Sequence, residues 1–177
     1  MMKSAREKIP GGIADYIVMS AANRLRPADT YRKLQENKGD RNMMKGLENI
    51  FKPKSVAVIG ASTQKGTIGR EILHNIIVNE FNGKVFPVNP KATVIHSIKC
   101  YSTILDVPDM VDMAIIAVPR EIVPMVAEQC GQKGVKGLVV ISAGFREVGG
   151  KGIELEDQLV GIVRKYEMRM IGPNCFG

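Results

Sequence analysis

The sequence predicts an α/β fold, in which a Rossmann-like, doubly wound parallel sheet follows a partly helical N-terminal arm. Short continuous apolar runs, such as 56–59 and 113–118, alternate with segments whose apolar residues recur at helical spacing. Continuous apolar runs are typical of parallel strands buried on both faces, and their alternation with helices indicates right-handed βαβ units. Glycine and proline follow most of these runs, so most of the predicted strands end in a turn.

The arm comprises residues 1–44, and the sheet domain comprises residues 45–177. Apolar residues at helical spacing within 13–25 predict a short amphipathic helix, which Pro27 ends. Residues 1–52 carry eleven Lys and Arg against six Asp and Glu, so most of the net charge of +7 lies at this end. The arm could pack on its own domain, pack on a partner subunit, or stay mobile.

The domain divides into strands and helices that alternate along the chain. The predicted strands are 54–59, 84–88, a short one near 98–100, 113–118, 137–142 and 169–171. The predicted helices are 67–79, 119–133 and 153–166, with helical turns ending at 51 and 105. Gly134 follows the second helix and is expected to cap it, because glycine readily adopts the left-handed conformation at that position.

Composition argues against several classes of protein. No run reaches the ~18 apolar residues that span a bilayer, and the N-terminus lacks a signal-peptide core, so we expect a cytoplasmic protein. The three cysteines include no CxxC pair, which argues against a disulfide framework and against a metal site. Aromatic residues make up only 5% of the chain, so a nucleic-acid role for the basic arm is disfavoured.

The carboxyl ends of parallel strands meet at one edge of the sheet, where such folds bind their ligands. Five loops there have unusual sequences: Gly60-Ala61-Ser62, Asn89-Pro90-Lys91, Val118-Pro119-Arg120, Ser142-Ala143-Gly144-Phe145 and Pro173-Asn174-Cys175. The first begins a glycine-cornered loop that opens a helix at about Thr67. Backbone N–H groups and the positive end of a helix dipole favour an anion at such a place. We therefore expect a ligand that carries phosphate.

A nicotinamide dinucleotide is one alternative for that ligand. Its GxGxxG fingerprint needs closer glycine spacing than Gly60, Gly66 and Gly69 provide. NAD also requires a carboxylate after the second strand, for the ribose hydroxyls, where this chain has Asn89-Pro90-Lys91. Lys91 suits an extra phosphate on the ribose instead, so NAD is disfavoured while NADP stays open.

The order of motifs points to a family. SVAVIGAS, GTIG, VNPK, IIAVP, VVISAGF and IGPNC-x-G, in that order, resemble the CoA-binding domain of the NDP-forming acyl-CoA synthetases. The chain is similar to the α-subunit of succinyl-CoA synthetase, and it resembles the ADP-forming acetyl-CoA synthetase branch more closely. The resemblance covers about residues 45–177 and does not reach the arm. It implies a domain that binds CoA or acyl-CoA.

The resemblance also implies roles for the loops. The glycine loop would hold the CoA phosphates, and Lys91 would contact the phosphate on the adenosine ribose. Val118 and Pro119 would line the nucleotide or pantetheine path, and the last two loops would lie near the thiol. The expected CoA-binding residues are Gly60, Ala61, Ser62, Lys65, Gly66, Thr67, Ile68, Gly69, Asn89, Pro90, Lys91, Val118, Pro119, Ser142, Ala143, Gly144, Phe145, Asn174 and Cys175.

No catalytic residue is expected in this chain. In the family, a histidine in the following domain carries the phosphoryl group, and neither His74 nor His96 matches it. Cys175 lacks the paired base that activates a cysteine nucleophile. We expect a domain fragment that binds CoA, while phosphohistidine and ATP-binding domains, in cis or in a second subunit, complete the ligase. The chain could also form a homo-oligomer.

Three other functions are compatible with the residues. One is a stand-alone CoA-binding or sensing module that works through a partner. Another is the CoA domain of a lysine acetyltransferase. The last is an NADP-binding Rossmann protein, which the same glycine loop and Lys91 would serve.

Overall fold

The structure is a computed structural model that describes residues 47–175. The predicted arm, residues 1–44, lies outside the described residues. Five parallel strands form one sheet: β1 (Ser55–Ile59), β2 (Lys84–Val88), β5 (Met113–Ile116), β6 (Gly137–Val140) and β7 (Arg169–Ile171). A small antiparallel hairpin, β3 (Val94–Ile95) and β4 (Ile98–Lys99), follows β2.

The strand order in the sheet is β2-β1-β5-β6-β7. The chain passes from β1 to a neighbour on one side and then returns to β5 on the other side. The order therefore reverses between β1 and β5, and a crevice opens there at the carboxyl ends of the strands. This confirms the predicted doubly wound, Rossmann-like sheet.

Helices cover both faces of the sheet. They are α1 (Glu48–Phe51), α2 (Ile68–Val78), α3 (Val123–Lys133) and α4 (Lys151–Lys165). Leu73 and Ile76 of α2 belong to the apolar cluster on one face. Ala127 of α3 and Leu159 of α4 belong to the cluster on the other face. Both faces of each central strand are buried, which explains why these strands are apolar throughout.

The predicted boundaries hold to within a few residues, and the differences have local causes. β5 and β6 end two residues before 118 and 142, because the chain turns there into loops that bond to each other. The predicted helix from 119 begins with a 3₁₀ turn, Arg120–Ile122, before α3. Gly134 ends α3 with φ of +86°, which confirms the predicted left-handed cap.

No described helix, within residues 47–175, has the length and apolarity that a bilayer crossing requires.

Gly69 and Gly161 provide a matched pair for testing how tightly α2 sits on the sheet. A Cβ on Gly69 would lie 1.9 Å from the carbonyl oxygen of Gly60, whereas a Cβ on Gly161 in α4 would meet nothing within 4 Å. Alanine favours a helix over glycine, so we expect Gly161→Ala to stabilise the chain by about 0.5–1 kcal/mol. Gly69→Ala should destabilise it by about 1–3 kcal/mol, because backbone must move. Urea unfolding of both variants measures the difference, and equal effects would contradict the close packing.

Candidate functional site

Three backbone segments meet where β1 ends. Gly60 has φ of +91°, and a Cβ on it would lie 2.2 Å from the carbonyl oxygen of Ala117. Gly69 lies at the start of α2, and a Cβ on it would lie 1.9 Å from the carbonyl oxygen of Gly60. No side chain fits at either glycine, so the N-terminus of α2 lies directly over the end of β1. This is the crevice between β1 and β5 that the strand order creates.

The start of α2 offers backbone donors to this crevice. Among residues 47–175, the N–H groups of Ile68 and Gly69 have no acceptor, and no side chain caps the helix. Unpaired N–H groups at a helix N-terminus carry partial positive charge and bind phosphate readily. The Lys65 side chain is exposed on the same loop and adds a full positive charge. These groups are the ones that a phosphate site requires.

Other polar groups of the same loop are already engaged within the protein. The Gly66 N–H donates to Oε1 of Glu71 at 3.2 Å, and Arg70 pairs with the same oxygen at 3.1 Å. The Gly66 hydrogen bond, and then the Arg70 guanidinium, hold the pKa of Glu71 below its usual value. Ser62 Oγ accepts the N–H of Gln64 at 3.0 Å and keeps its own proton to donate. A phosphate on the Gly66 amide would therefore have to displace Glu71.

Asn89 connects the loop after β2 to the loop after β1. Its Nδ2 donates to the carbonyl oxygen of Ala61 at 2.6 Å, and its Oδ1 accepts the N–H of Lys91 at 2.8 Å. Both ends of the Asn89 amide are thus bonded to protein. The Lys91 side chain is exposed beyond this turn. Asn89 shapes the turn, and the Lys91 side chain stays exposed to solvent.

The loops after β5 and β6 are bonded to each other. Ser142 Oγ donates to the carbonyl oxygen of Val118 at 2.5 Å. Arg120 Nη1 donates to the carbonyl oxygen of Gly144 at 2.8 Å, and Arg120 Nε pairs with Glu121 at 2.9 Å. Arg120 is therefore engaged in holding the next loop.

Glu147 is not among the residues predicted from the sequence, yet it connects two loops at this edge of the sheet. Its carboxylate accepts the N–H groups of Gly144 at 2.6 Å and Phe145 at 3.0 Å, and Nδ2 of Asn174 at 3.2 Å. The Gly144 hydrogen bond is the main cause that holds the pKa of Glu147 below its usual value. The sequence feature that could have indicated this role is a carboxylate three residues after a glycine in a turn, where side chains often bond to nearby backbone.

The predicted site residues differ in their exposure to solvent. The exposed ones are Lys65, Gly66, Ile68, Pro90, Lys91, Pro119 and Ala143. Ala61, Gly69 and Phe145 are buried, and the Phe145 side chain is part of the core. These three residues can offer only backbone groups to a ligand.

The three cysteines are buried or half-buried, and the two histidines contact each other. Burial raises the pKa of the Cys130 thiol to about 12, and it also raises the pKa values of Cys100 and Cys175. His74 of α2 stacks on His96 of the β3–β4 hairpin, with ring centroids 5.4 Å apart. Within residues 47–175, no group of three or more His, Cys, Asp or Glu side chains could hold a metal ion.

Comparison with known proteins gives a consistent family. Residues 54–177 match the model of a family described as a CoA binding domain. The chain is 52% identical over 131 residues to an ADP-forming acetate–CoA ligase of Methanocaldococcus jannaschii, which covers 74% of this chain and 18% of that protein. It is 52% identical over 135 residues to the α subunit of ADP-forming acetate–CoA ligase I of Pyrococcus furiosus, covering 74% of this chain and 29% of that subunit.

A solved structure agrees with these relatives. The structure of dinucleotide forming acetyl-coenzyme A synthetase 1 from Ca. Korarchaeum cryptofilum, in complex with phosphate and ADP, matches with a TM-score of 0.70 and 48% identity. The match covers 72% of this chain and 27% of that one. The chain thus spans between about a fifth and three tenths of the length of these relatives.

Thiol reactivity tests whether Cys175 behaves as a nucleophile. The thiolate is the reactive form, so a raised pKa predicts slow reaction at pH 7.5. We expect the half-buried Cys175 to react first with Ellman's reagent, yet more slowly than a cysteine in the urea-unfolded chain. Cys130 should react only on unfolding, because its side chain is fully buried.

Cys175→Ser should remove the first phase of that reaction and leave the slower phases unchanged. If Cys175 reacted faster in the folded chain than in the unfolded chain, its pKa would be lowered, and a nucleophilic role would have to be reconsidered.

Proposed function

The chain belongs to the CoA-binding domain family of the ADP-forming acyl-CoA synthetases, and on that basis we propose that it binds CoA or acyl-CoA. The observation that carries this proposal is the extent of the family match, which runs from residue 54 to residue 177. That range includes all five loops at the carboxyl edge of the sheet. The ligand would lie across those loops, with its nucleotide over α2 and its thiol beside the loop after β7.

The start of α2 would hold the diphosphate of CoA. This placement is supported by the N–H groups of Ile68 and Gly69, which have no acceptor among residues 47–175, and by the exposed Lys65. Ser62 can donate its hydroxyl proton to a third phosphate oxygen. This combination of backbone donors, helix dipole and one cation is suited to an anion and offers little to a neutral ligand.

Lys91 would bind the 3′-phosphate on the adenosine ribose. Asn89 fixes the backbone at Lys91, so the exposed lysine extends from a defined turn at the end of β2. A lysine there favours a phosphorylated ribose over a plain one, since its positive charge strengthens the hydrogen bonds that it donates to an anionic phosphate. The pantetheine arm would then follow Val118 and Pro119 toward the loops after β6 and β7.

The complete ligase reaction would need more than this chain. The matched part makes up 18% and 29% of the length of two of the relatives, and the second of these is named as an α subunit. We propose that further domains, in cis or in a second subunit, form the acyl phosphate and deliver it to the bound CoA. A cytoplasmic location suits the chain, because its three cysteines are thiols rather than disulfides.

Binding of CoA, 3′-dephospho-CoA and NADPH tests the ligand directly. Calorimetry on the 177-residue chain should give the order CoA, then 3′-dephospho-CoA, with NADPH weakest. Lys91→Ala should weaken CoA binding by roughly 10- to 100-fold, the cost of losing about 1.5–3 kcal/mol from a charged hydrogen bond. The affinity for 3′-dephospho-CoA should hardly change.

Lys136→Ala is the matched control for Lys91→Ala. Lys136 is also exposed, but it precedes β6 at the amino edge of the sheet, so its loss changes the net charge without touching the site. Tighter binding of NADPH than of CoA would overturn the proposal. An equal loss of CoA affinity in both variants would show that Lys91 acts only through net charge.

Ligation by the chain alone is the second test. We expect no ADP when the purified chain is mixed with ATP, acetate and CoA, under conditions where calorimetry shows CoA bound. ADP release that depends on both acetate and CoA would contradict the proposed division of the reaction between this domain and further domains.

A further inference from the structure

Glu147 joins two loops at the end of the site that is proposed to hold the thiol. One of its oxygens accepts the N–H of Gly144 and Nδ2 of Asn174, and the other accepts the N–H of Phe145. Arg120 Nη1 donates to the carbonyl oxygen of Gly144. The backbone of Gly144 is therefore held at both its N–H and its C=O, and Asn174 is bonded to the same carboxylate.

These contacts determine which way the Asn174 amide faces. A carboxylate can only accept hydrogen bonds, so Glu147 selects the NH₂ end of the Asn174 side chain. The backbone N–H of Asn174 donates to the carbonyl oxygen of Ser142 at 3.0 Å, which fixes the residue at a second point. Among residues 47–175, Oδ1 of Asn174 accepts no hydrogen bond. An oriented acceptor thus remains at this end of the crevice.

Glu147 can perform this role at neutral pH because it is ionised there. The Gly144 N–H, and then other backbone N–H groups, hold the pKa of the Glu147 carboxyl below its usual value. Since the two N–H groups of Gly144 and Phe145 are occupied by this internal carboxylate, they do not serve as an anion site for a ligand. Oδ1 of Asn174 is a polar atom of these loops that accepts no hydrogen bond from the described residues.

We propose that Glu147 is a positioning residue, which orients Asn174 so that its Oδ1 accepts a hydrogen bond from the pantetheine arm of CoA. This inference rests on the proposed function. The arm carries amide N–H groups and a thiol, which are donors, whereas the nucleotide phosphates are acceptors that an amide oxygen would repel. Because Asn174 lies in the loop after β7, at the end of the site proposed for the thiol, the contribution of Glu147 is confined to the arm and leaves nucleotide binding unchanged.

Two ligands separate these contributions. Adenosine 3′,5′-bisphosphate represents the nucleotide alone, and CoA adds the pantetheine arm. The ratio of the two affinities measures what the arm contributes. Glu147→Ala should lower this ratio by about five- to tenfold, the effect of about one lost hydrogen bond, while adenosine 3′,5′-bisphosphate binds as before. Glu147→Gln should retain most of the ratio, because its amide oxygen can still accept from Asn174.

Glu156→Ala is the matched control. Glu156 is a carboxylate on α4 that accepts the N–H of Arg146 at 3.1 Å, so it supports the same turn without contacting Gly144 or Asn174. Its loss should leave the ratio unchanged. The pair Glu147→Ala and Asn174→Ala completes the test, because the double variant should lower the ratio no further than Asn174→Ala alone.

The outcomes are distinct. If the unaltered chain binds neither CoA nor adenosine 3′,5′-bisphosphate, the proposed function fails and this inference fails with it. If both ligands bind and Glu147→Ala leaves the ratio unchanged, or raises it, this inference alone is overturned. Independent, additive effects of Glu147→Ala and Asn174→Ala would also overturn it, since a positioning residue acts only through the residue it positions.

Discussion

The contact of three backbones at Gly60 is the constraint on which the rest of the structure depends. Because Gly60 and Gly69 have no side chains, β1, the loop after β5 and the start of α2 come within van der Waals distance. That contact places a helix N-terminus at the point where the strand order reverses. The donors of α2 and the crevice between β1 and β5 therefore coincide, and this backbone packing is the basis of the proposed anion site.

Hydrogen bonds between loops make this edge of the sheet a defined surface. Asn89 holds the loop after β1, Arg120 holds the loop after β6, and Glu147 joins that loop to Asn174. Polar side chains at the edge consequently fall into two groups, those bonded to protein and those open to a ligand. A site whose loops are already fixed loses little conformational entropy on binding, which favours affinity for a long, flexible ligand such as CoA.

Sequence patterns predicted the fold well because they report local physics. The apolar runs and their helical neighbours gave the strands and helices to within a few residues, and Gly134 ended α3 as expected. The glycine loop and Lys91 predicted a ligand that carries phosphate and a positively charged side chain to pair with it. The same residues would also serve NADP. Only the order of motifs favoured CoA, and the family match supports that order.

The sequence by itself determined the layers of this protein, the edge at which a ligand is proposed to bind and the positive character of its first loop. Those properties depend on the spacing of apolar residues and on the positions of glycines, and both are set by residues close together in the chain. The tertiary structure decided which polar groups remain available. Asn89, Arg120 and Glu147 bond to partners 24 to 28 residues away in the chain, and no local pattern specifies such a pairing. A hydrogen bond requires two groups about 3 Å apart, and that separation exists only once the strands are aligned.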